Sequence, residues 1–264
     1  ITTSTQTETR TSLADNGKSV LWNEGDAIAV YDFATSKRKF VAEINDNNTH
    51  FKGKITPKYG SFIAAYPYDL AAENDVNKKI LLYLPEEQTA VEDGFASGLN
   101  LSIAKGKRNV DGSPSQVQFR NICQLFKLTI PEYISNRVAK IELTANTAIA
   151  GELTVDYSDY NPEITISNQG AKTIALLPPS GSTSFAEGSY YIVLAPSAIN
   201  GFTITLEDVT GKTYVQHSNT SIGGNWGVIC NLGNMDMVDK PVITPKHVYE
   251  DQILVGTQLS LTAP

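Results

Sequence analysis

The feature that most constrains the fold of this chain is a repeated alternation of apolar and polar residues with a period of two. The alternation is clearest in residues 139–144 and 202–207, and residues 39–44 and 128–130 follow it as well. Such alternation places apolar side chains on one face of a strand and polar side chains on the other. No segment keeps a helical apolar period over the roughly 12 positions that a stable helix needs. We therefore predict an all-β chain with at most one or two short helices.

Turn signals separate the alternating segments. The sharpest is Asp15-Asn16-Gly17, which lies between residues 11–13 and the apolar residues 20–22. Asn-Gly readily adopts the positive φ angles of a tight hairpin turn, so a hairpin is predicted here. Turn signals recur at intervals of roughly 8–15 residues, a spacing typical of β-sandwiches rather than of βαβ units.

The length and one polar stretch suggest two domains. The chain has 264 residues, and single domains most often contain about 100–150. Residues 104–115 are the most polar interior segment, with Ala104 and Val110 their only apolar members. We therefore predict a β domain over residues 1–115, a linker ending at 115, and a second β domain over 116–238. In the tail, residues 239–264, Pro241 and Pro245 interrupt any strand, and residues 248–263 resume a β-prone pattern that predicts an added edge or donor strand.

Composition and charge exclude several classes of protein. The formal net charge is −7 and the pI is about 5.0, whereas binding to a nucleic-acid backbone requires clustered Lys and Arg. The chain is 41% hydrophobic and contains 12 Tyr and 9 Phe, which is enough to build a core and excludes a disordered chain. No apolar run approaches the roughly 20 residues of a membrane helix. Because the chain starts at Ile1 and not at Met, we expect an upstream export signal.

The inventory of catalytic side chains is small. His50, His217 and His247 are widely separated, and neither a Gly-x-Ser-x-Gly nor a His-Glu-x-x-His motif is present. We therefore predict that the chain is not an enzyme and has no cofactor. Cys123 and Cys230 lie in apolar segments and are predicted to be buried free thiols; a disulfide between them and a nucleophilic role remain the alternatives.

Three further patterns contain residue types that could form a site. Residues 156–161 carry closely spaced oxygen ligands but lack the Gly and the terminal Glu of a calcium loop, so a solvated turn is predicted. The glycine-rich residues 221–227 precede a strand pattern and not a helix, which favours a loop over a phosphate site. Trp22 and Trp226 adjoin alternating strands and are predicted to belong to the core, with an exposed sugar-stacking platform as the alternative. No metal site is predicted.

A series of landmarks resembles one known family. Residues 9–30 are similar to the opening of fimbrillin-like proteins, the type V pilus subunits of Bacteroidetes. The later landmarks occur in the same order as in that family, and the match covers roughly residues 9–235. These landmarks are the "AYPY" strand at 62–68, the "LPxxQ" segment at 84–88, and the segments 119–128, 141–151 and 226–232.

The resemblance implies a fold and a function. The fold would be two transthyretin-like β-sandwiches in tandem, in an exported lipoprotein precursor located in fimbriae at the cell surface or outer membrane. The chain would be a structural or adhesion subunit, and its partners would be other fimbrial subunits and a host or bacterial surface receptor. It would contact a membrane only through a lipid anchor absent from this chain. The role as stalk, tip or anchor subunit stays open.

The resemblance also implies a mechanism of assembly. In that family a trypsin-like protease cuts after a basic residue, the N-terminal strand leaves, and a strand from a neighbouring subunit fills the exposed groove. Arg10 is the only basic residue before Lys18 and is therefore the candidate cleavage point, the alternative being an ordinary outward-facing strand residue. The candidate donor side chains in the tail are Ile253, Val255, Leu259 and Leu261.

Two other functions remain as alternatives. A surface glycan-binding module would require exposed aromatic side chains on one concave face. An enzyme of an unfamiliar β-sandwich class is the weaker alternative, because the sequence shows no convergent acid, base and nucleophile.

Overall fold

The chain forms a series of antiparallel and mixed β-sheets in the computed structural model. The structure describes residues 12–13, 20–32, 36–45, 48–54, 60–73, 77–96, 98–109, 115–159, 161–238, 247–249 and 257–262. The strands of the first part are β1 (Ser12–Leu13), β2 (Val20–Leu21), β3 (Ala27–Tyr31), β4 (Arg38–Asn45), β5 (Asn48–Lys54), β6 (Ser61–Tyr66), β7 (Lys79–Leu84), β8 (Glu87–Thr89), β9 (Ser102–Lys107), β10 (Ser115–Gln116) and β11 (Arg120–Asn121). Those of the second part are β12 (Gln124–Ile130), β13 (Val138–Ala145), β14 (Gly151–Asp156), β15 (Glu163–Ile166), β16 (Thr173–Leu177), β17 (Gly188–Leu194), β18 (Ile199–Asp208), β19 (Thr213–Ile222), β20 (Ile229–Asn234), β21 (His247–Tyr249) and β22 (Thr257–Thr262).

The all-β prediction is confirmed. Among the described residues the only helical element is a 3-10 turn at Glu132–Ile134, which follows Pro131. The alternating segments at 139–144 and 202–207 lie inside β13 and β18, and β18 alternates buried and partly exposed residues along most of its length. The period of two therefore located these strands correctly.

The first core belongs to an eight-stranded sheet with the strand order β10-β22-β5-β4-β3-β6-β9-β11. At its centre the buried Trp22 ring makes edge-on contacts with Phe51, Tyr66 and Phe119, with centroid distances of 4.8–5.1 Å. Phe51 lies on β5 and Phe119 directly precedes β11, near the opposite edge of the sheet. The contacts of one ring with both regions indicate that the sheet curls around it, and the prediction that Trp22 is a core residue is confirmed.

The second core lies between a four-stranded sheet, β17-β12-β20-β21, and a five-stranded sheet, β19-β18-β13-β16-β8. On β12, Phe126 and Leu128 belong to this second core, whereas Leu125 belongs to the first. On β17, Ile192 belongs to the second core and Val193 to the first. Strands β12 and β17 are therefore buried on both faces, which explains why residues 190–195 are apolar without interruption.

Strands from before and after residue 115 pair with each other. A three-stranded sheet has the order β15-β14-β7, and β7 pairs antiparallel with β14 along six residues. Strand β8 pairs parallel with β16. Two strands that precede residue 115 are thus held by strands that follow it, which fixes the two parts of the chain against each other.

Part of the predicted linker is a strand instead, and residues 110–114 of it lie outside the described residues. Residues 104–107, the start of the predicted linker, lie in β9, which pairs with β6 and β11. The polar appearance has a physical cause, because Gly106 occupies an inward position where a Cβ atom would collide with the Phe62 ring. A glycine replaces the apolar side chain that normally marks an inward strand position, so the alternation is hidden in the sequence.

Candidate assembly site

The last strand that the structure describes lies inside the sheet of the first part. Strand β22 lies between β5 and β10 and runs parallel to β5 over six residues, from Thr257 opposite Thr49 to Thr262 opposite Lys54. On its other side it pairs antiparallel with β10 at two positions, with Leu259 opposite Ser115. The tail therefore forms a strand, but in this sheet the strand is an internal one. The other tail strand, β21, pairs with β20 at the edge of the four-stranded sheet.

The strand β5, with which β22 pairs, has buried and exposed side chains. Phe51 is fully buried beside the Trp22 ring, and its backbone is in register with Leu259. Gly53, in register with Leu261, lies so close to the Phe40 ring that no side chain would fit there. Of the four candidate donor residues, Leu259 and Leu261 thus lie in a strand that pairs with β5, whereas Ile253 and Val255 lie outside the described residues. Their roles as donor side chains stay predictions.

The two N-terminal strands pair with each other and lead directly into the first core. Strands β1 and β2 pair antiparallel, with Ser12 opposite Leu21 and Leu13 opposite Val20, as the Asn-Gly signal predicts. Trp22 follows β2 directly, so the hairpin leads into the side chain that fills the first core. The turn residues and the candidate cleavage residue Arg10 lie outside the described residues.

A buried carboxyl group holds the turn between Trp22 and β3. The Asp26 carboxylate accepts a hydrogen bond from the backbone N–H of Asn23 at 2.8 Å and one from the Tyr66 hydroxyl at 3.3 Å. The backbone of Asp26 accepts a further bond from the N–H of Ala42. Burial raises the pKa of Asp26 to about 6, against the lowering effect of its two hydrogen bonds.

Among the side chains that the structure describes, the catalytic candidates are not brought together. His50 lies on β5, and His217 lies on β19, where its Nδ1 is 3.0 Å from the Thr203 hydroxyl. Both cysteines are free and buried, and burial raises the pKa of each thiol to about 12. The prediction of buried free thiols is confirmed, and a thiol this hard to ionise is a poor nucleophile.

Two of the other candidate patterns have structural explanations. The Asp156 carboxylate accepts hydrogen bonds from the backbone and hydroxyl of Ser158 and pairs with Lys79 at 3.1 Å. Within the described part of the chain, no three His, Cys, Asp or Glu side chains are close enough together to share a metal ion. Trp226 packs against the first core and the Arg120 guanidinium lies 5.2 Å from its ring centroid, so this ring is no open platform for a sugar.

Two solved structures share this architecture. A protein from Bacteroides uniformis provisionally described as a cell adhesion protein matches with a TM-score of 0.56 and 13% sequence identity, over 93% of this chain and 98% of that chain. A protein from Bacteroides ovatus with the same description matches with a TM-score of 0.52 and 15% identity, over 94% and 95%. The chain has the fold of these two proteins. This agrees, at the level of fold, with the fimbrillin-like resemblance of the sequence.

A more distant match is the tip fimbrial protein from Porphyromonas gingivalis with a C-terminal truncation, at a TM-score of 0.39 and 10% identity, over 91% of this chain and 94% of that chain. No protein-family model matches the sequence, and no curated protein is significantly similar to it. Among the described residues, no helix combines the length and hydropathy needed to cross a membrane.

Proposed function

We propose that the chain is a structural or adhesion subunit of cell-surface fimbriae, built from two tandem transthyretin-like β-sandwiches. In this proposal it is exported to the cell surface and assembles with other fimbrial subunits by β-strand addition. The sequence resemblance and the fold shared with two proteins described as adhesion proteins support the proposal.

The observation that carries the proposal is the position of β22. This strand comes from the C-terminal end of the chain and pairs with β5 through main-chain groups over six residues. Such pairing depends on the backbone and on register, not on whether the two strands belong to one molecule. A tail from a neighbouring subunit can therefore occupy the same place, as in domain swapping.

The energetics favour occupation of this position. Without β22, β5 would expose six residues of unpaired backbone, next to a core that contains Phe51 and Trp22. An unpaired edge of this length recruits another strand. Because β22 is distant in sequence from the strands it pairs with, the corresponding strand of a second subunit can take its place in the sheet.

The experiment is limited trypsin treatment of the full chain, followed by electron microscopy and N-terminal sequencing. We expect cleavage after Arg10 to precede filament formation, and Arg10→Ala to prevent both. Lys18→Ala is the matched control, because it removes the next basic residue and should leave filament formation unchanged.

Two outcomes contradict the proposal. Filaments that form equally well from Arg10→Ala would show that cleavage at this residue is not the trigger. A cleaved chain that stays monomeric at high concentration would count against strand addition as a whole.

The glycan-binding alternative gains no support from the tryptophans. The buried Trp22 contacts three aromatic rings, and Trp226 lies partly buried beneath Arg120.

A further inference from the structure

A cleft of about 750 Å³ lies where the two parts of the chain meet. We call it the β8 cleft. One wall is residues 87–92, which contain β8; the rest is formed by residues 66–70, Ala96, residues 98–99 and residues 179–180, with Ala27. These segments are distant in sequence and converge because β8 pairs with β16 while the loop after β6 stays with the first sheet.

The strand along this wall has an unpaired edge. Strand β8 is the last strand of the five-stranded sheet. The backbone C=O of Glu86 accepts a bond from Ala175, and the backbone N–H of Ala90 donates one to Leu177. In a parallel ladder alternate residues bond to the same neighbour. The backbone groups of Glu87 and Thr89 therefore point away from β16, and no bond to them is made by the described residues.

The strand is held rigidly from behind. Gln88 is buried, and its side-chain amide donates a hydrogen bond to the Val193 carbonyl at 2.7 Å and accepts one from the Val193 N–H at 3.0 Å. This two-bond clamp fixes β8 to β17 in the four-stranded sheet. Because β8 is already held in place, only the partner segment has to be ordered on binding.

The charged residues that line the cleft are all acidic. Asp69, Glu87 and Glu92 line it and are exposed, and no Lys, Arg or His is among the lining residues. None of these three carboxylates forms an ion pair with a described residue. Two ammonium groups lie beside the lining residue Tyr68. Those of Lys37 and Lys39 are 4.1 and 5.2 Å from its ring centroid, and Lys37 also donates to the carbonyls of Tyr68 and Ala71.

The three carboxylates are too widely spaced to bind a single metal ion together. Among the described residues no three acidic side chains converge on one point, whereas cation binding sites gather several oxygen ligands around one atom. Carboxylates spread along a free strand edge instead match a linear chain with several positive charges. The free N–H and C=O groups of Glu87 and Thr89 match the backbone of an extended peptide.

We propose that the β8 cleft binds an extended, lysine- or arginine-rich segment of a partner protein, which pairs as an added strand along β8. The segment forms main-chain hydrogen bonds with Glu87 and Thr89, and its basic side chains pair with Asp69, Glu87 and Glu92. This site is separate from the β5–β22 pairing, so the inference does not depend on the proposed function.

The test uses the full chain and a synthetic, capped heptapeptide of alternating Lys and Val, with binding measured by calorimetry in 50 mM salt. We expect saturable binding that weakens as salt is raised, because the contacts are charged and exposed. Removing two carboxylates in Glu87→Gln/Glu92→Gln should weaken binding about tenfold, at roughly threefold for each exposed ion pair. The matched control is Glu152→Gln/Glu163→Gln, which removes two exposed carboxylates from β14 and β15 and should leave the affinity unchanged.

A second pair of variants tests the strand pairing. Thr89→Pro removes an N–H that makes no bond within the described protein, and we expect it to abolish binding, whereas Thr89→Ala keeps that N–H and the affinity. If Thr89→Pro does not fold, a heptapeptide with every second residue N-methylated tests the same bonds on the ligand side, and it should bind at least about tenfold more weakly.

Three results would overturn the inference. The heptapeptide could fail to bind at 1 mM, or it could bind with the same affinity to Thr89→Pro and in its N-methylated form, which would leave attraction between charges alone. A neutral oligosaccharide that shifts the amide resonances of residues 87–92, where the heptapeptide does not, would assign the cleft to a glycan instead.

Discussion

The buried carboxyl group of Asp26 makes a quantitative prediction about stability. Burial raises the pKa of Asp26 to about 6 in the folded chain, against an ordinary value of 3.8. The two pKa values differ by about two, and a difference of one in pKa corresponds to about 1.4 kcal/mol. Ionisation of Asp26 therefore costs the folded state about 3 kcal/mol. The cost is absent below about pH 4, where both states are protonated. It grows as the pH rises from about 4 to 6 and is constant above that.

The variant Asp26→Asn removes this cost, because the amide never ionises and its oxygen can still accept the bond from the Asn23 N–H. Urea unfolding at a series of pH values should show the free energy of unfolding of Asp26→Asn rising relative to the natural chain by about 3 kcal/mol between pH 4 and pH 7. Comparing the two chains at each pH cancels the contributions of other groups.

A control tests the cause of the shift. Tyr66→Phe removes a hydrogen bond that lowers the pKa of Asp26, so the dependence on pH should persist and extend to higher pH. A difference between Asp26→Asn and the natural chain that stays flat from pH 4 to pH 7 would refute the assignment of a raised pKa to this group.

Three further predictions follow from the cores. Cys123 and Cys230 should not react with a thiol reagent at pH 8 until the chain unfolds, since burial raises both pKa values to about 12; rapid modification of the folded chain would contradict this. Gln88→Ala should lower the free energy of unfolding by about 3 kcal/mol, because two buried backbone groups of Val193 lose their partner, and a loss below 1 kcal/mol in urea unfolding would show that the clamp is unimportant. Gly106→Ala should cost about 1–3 kcal/mol through collision with an aromatic ring, and an unchanged melting temperature would argue against that close approach.

The strands that could be predicted from the sequence are those with one face in the core and one in solvent. Strands β13 and β18 are examples, since their alternation follows directly from their position. The hairpin of β1 and β2 was also predictable, because Asn-Gly specifies the local turn.

Features that depend on distant contacts could not be predicted. Strand β9 was hidden because Gly106 faces the core without a side chain, and the pairing of β7 and β8 with later strands leaves no local signal. The β8 cleft is assembled from separated segments with no motif in common. The raised pKa of Asp26 likewise depends on burial by elements distant in the sequence.

The sequence predicts a strand in the tail, but it does not predict where in the sheet that strand lies. Its β-prone pattern indicated a strand, yet nothing in residues 257–262 specifies that the strand lies between β5 and β10. Backbone pairing has little dependence on side-chain identity, so the partner of such a strand is decided by the edge that is open to it.

The measurement that tests strand addition most directly is a disulfide formed across the β5–β22 pair. Lys52 and Ser260 are opposite each other in register, and neighbouring strands lie about 5 Å apart, within the range of a disulfide. One chain carries Lys52→Cys and a second carries Ser260→Cys; the two are mixed, treated with trypsin and oxidised after assembly, with each single variant alone as control. The account predicts disulfide-linked dimers of the two chains, present in the mixture and absent from either variant alone. A mixture that forms filaments but no such dimers, while a single chain carrying both substitutions closes the bond internally, would contradict it.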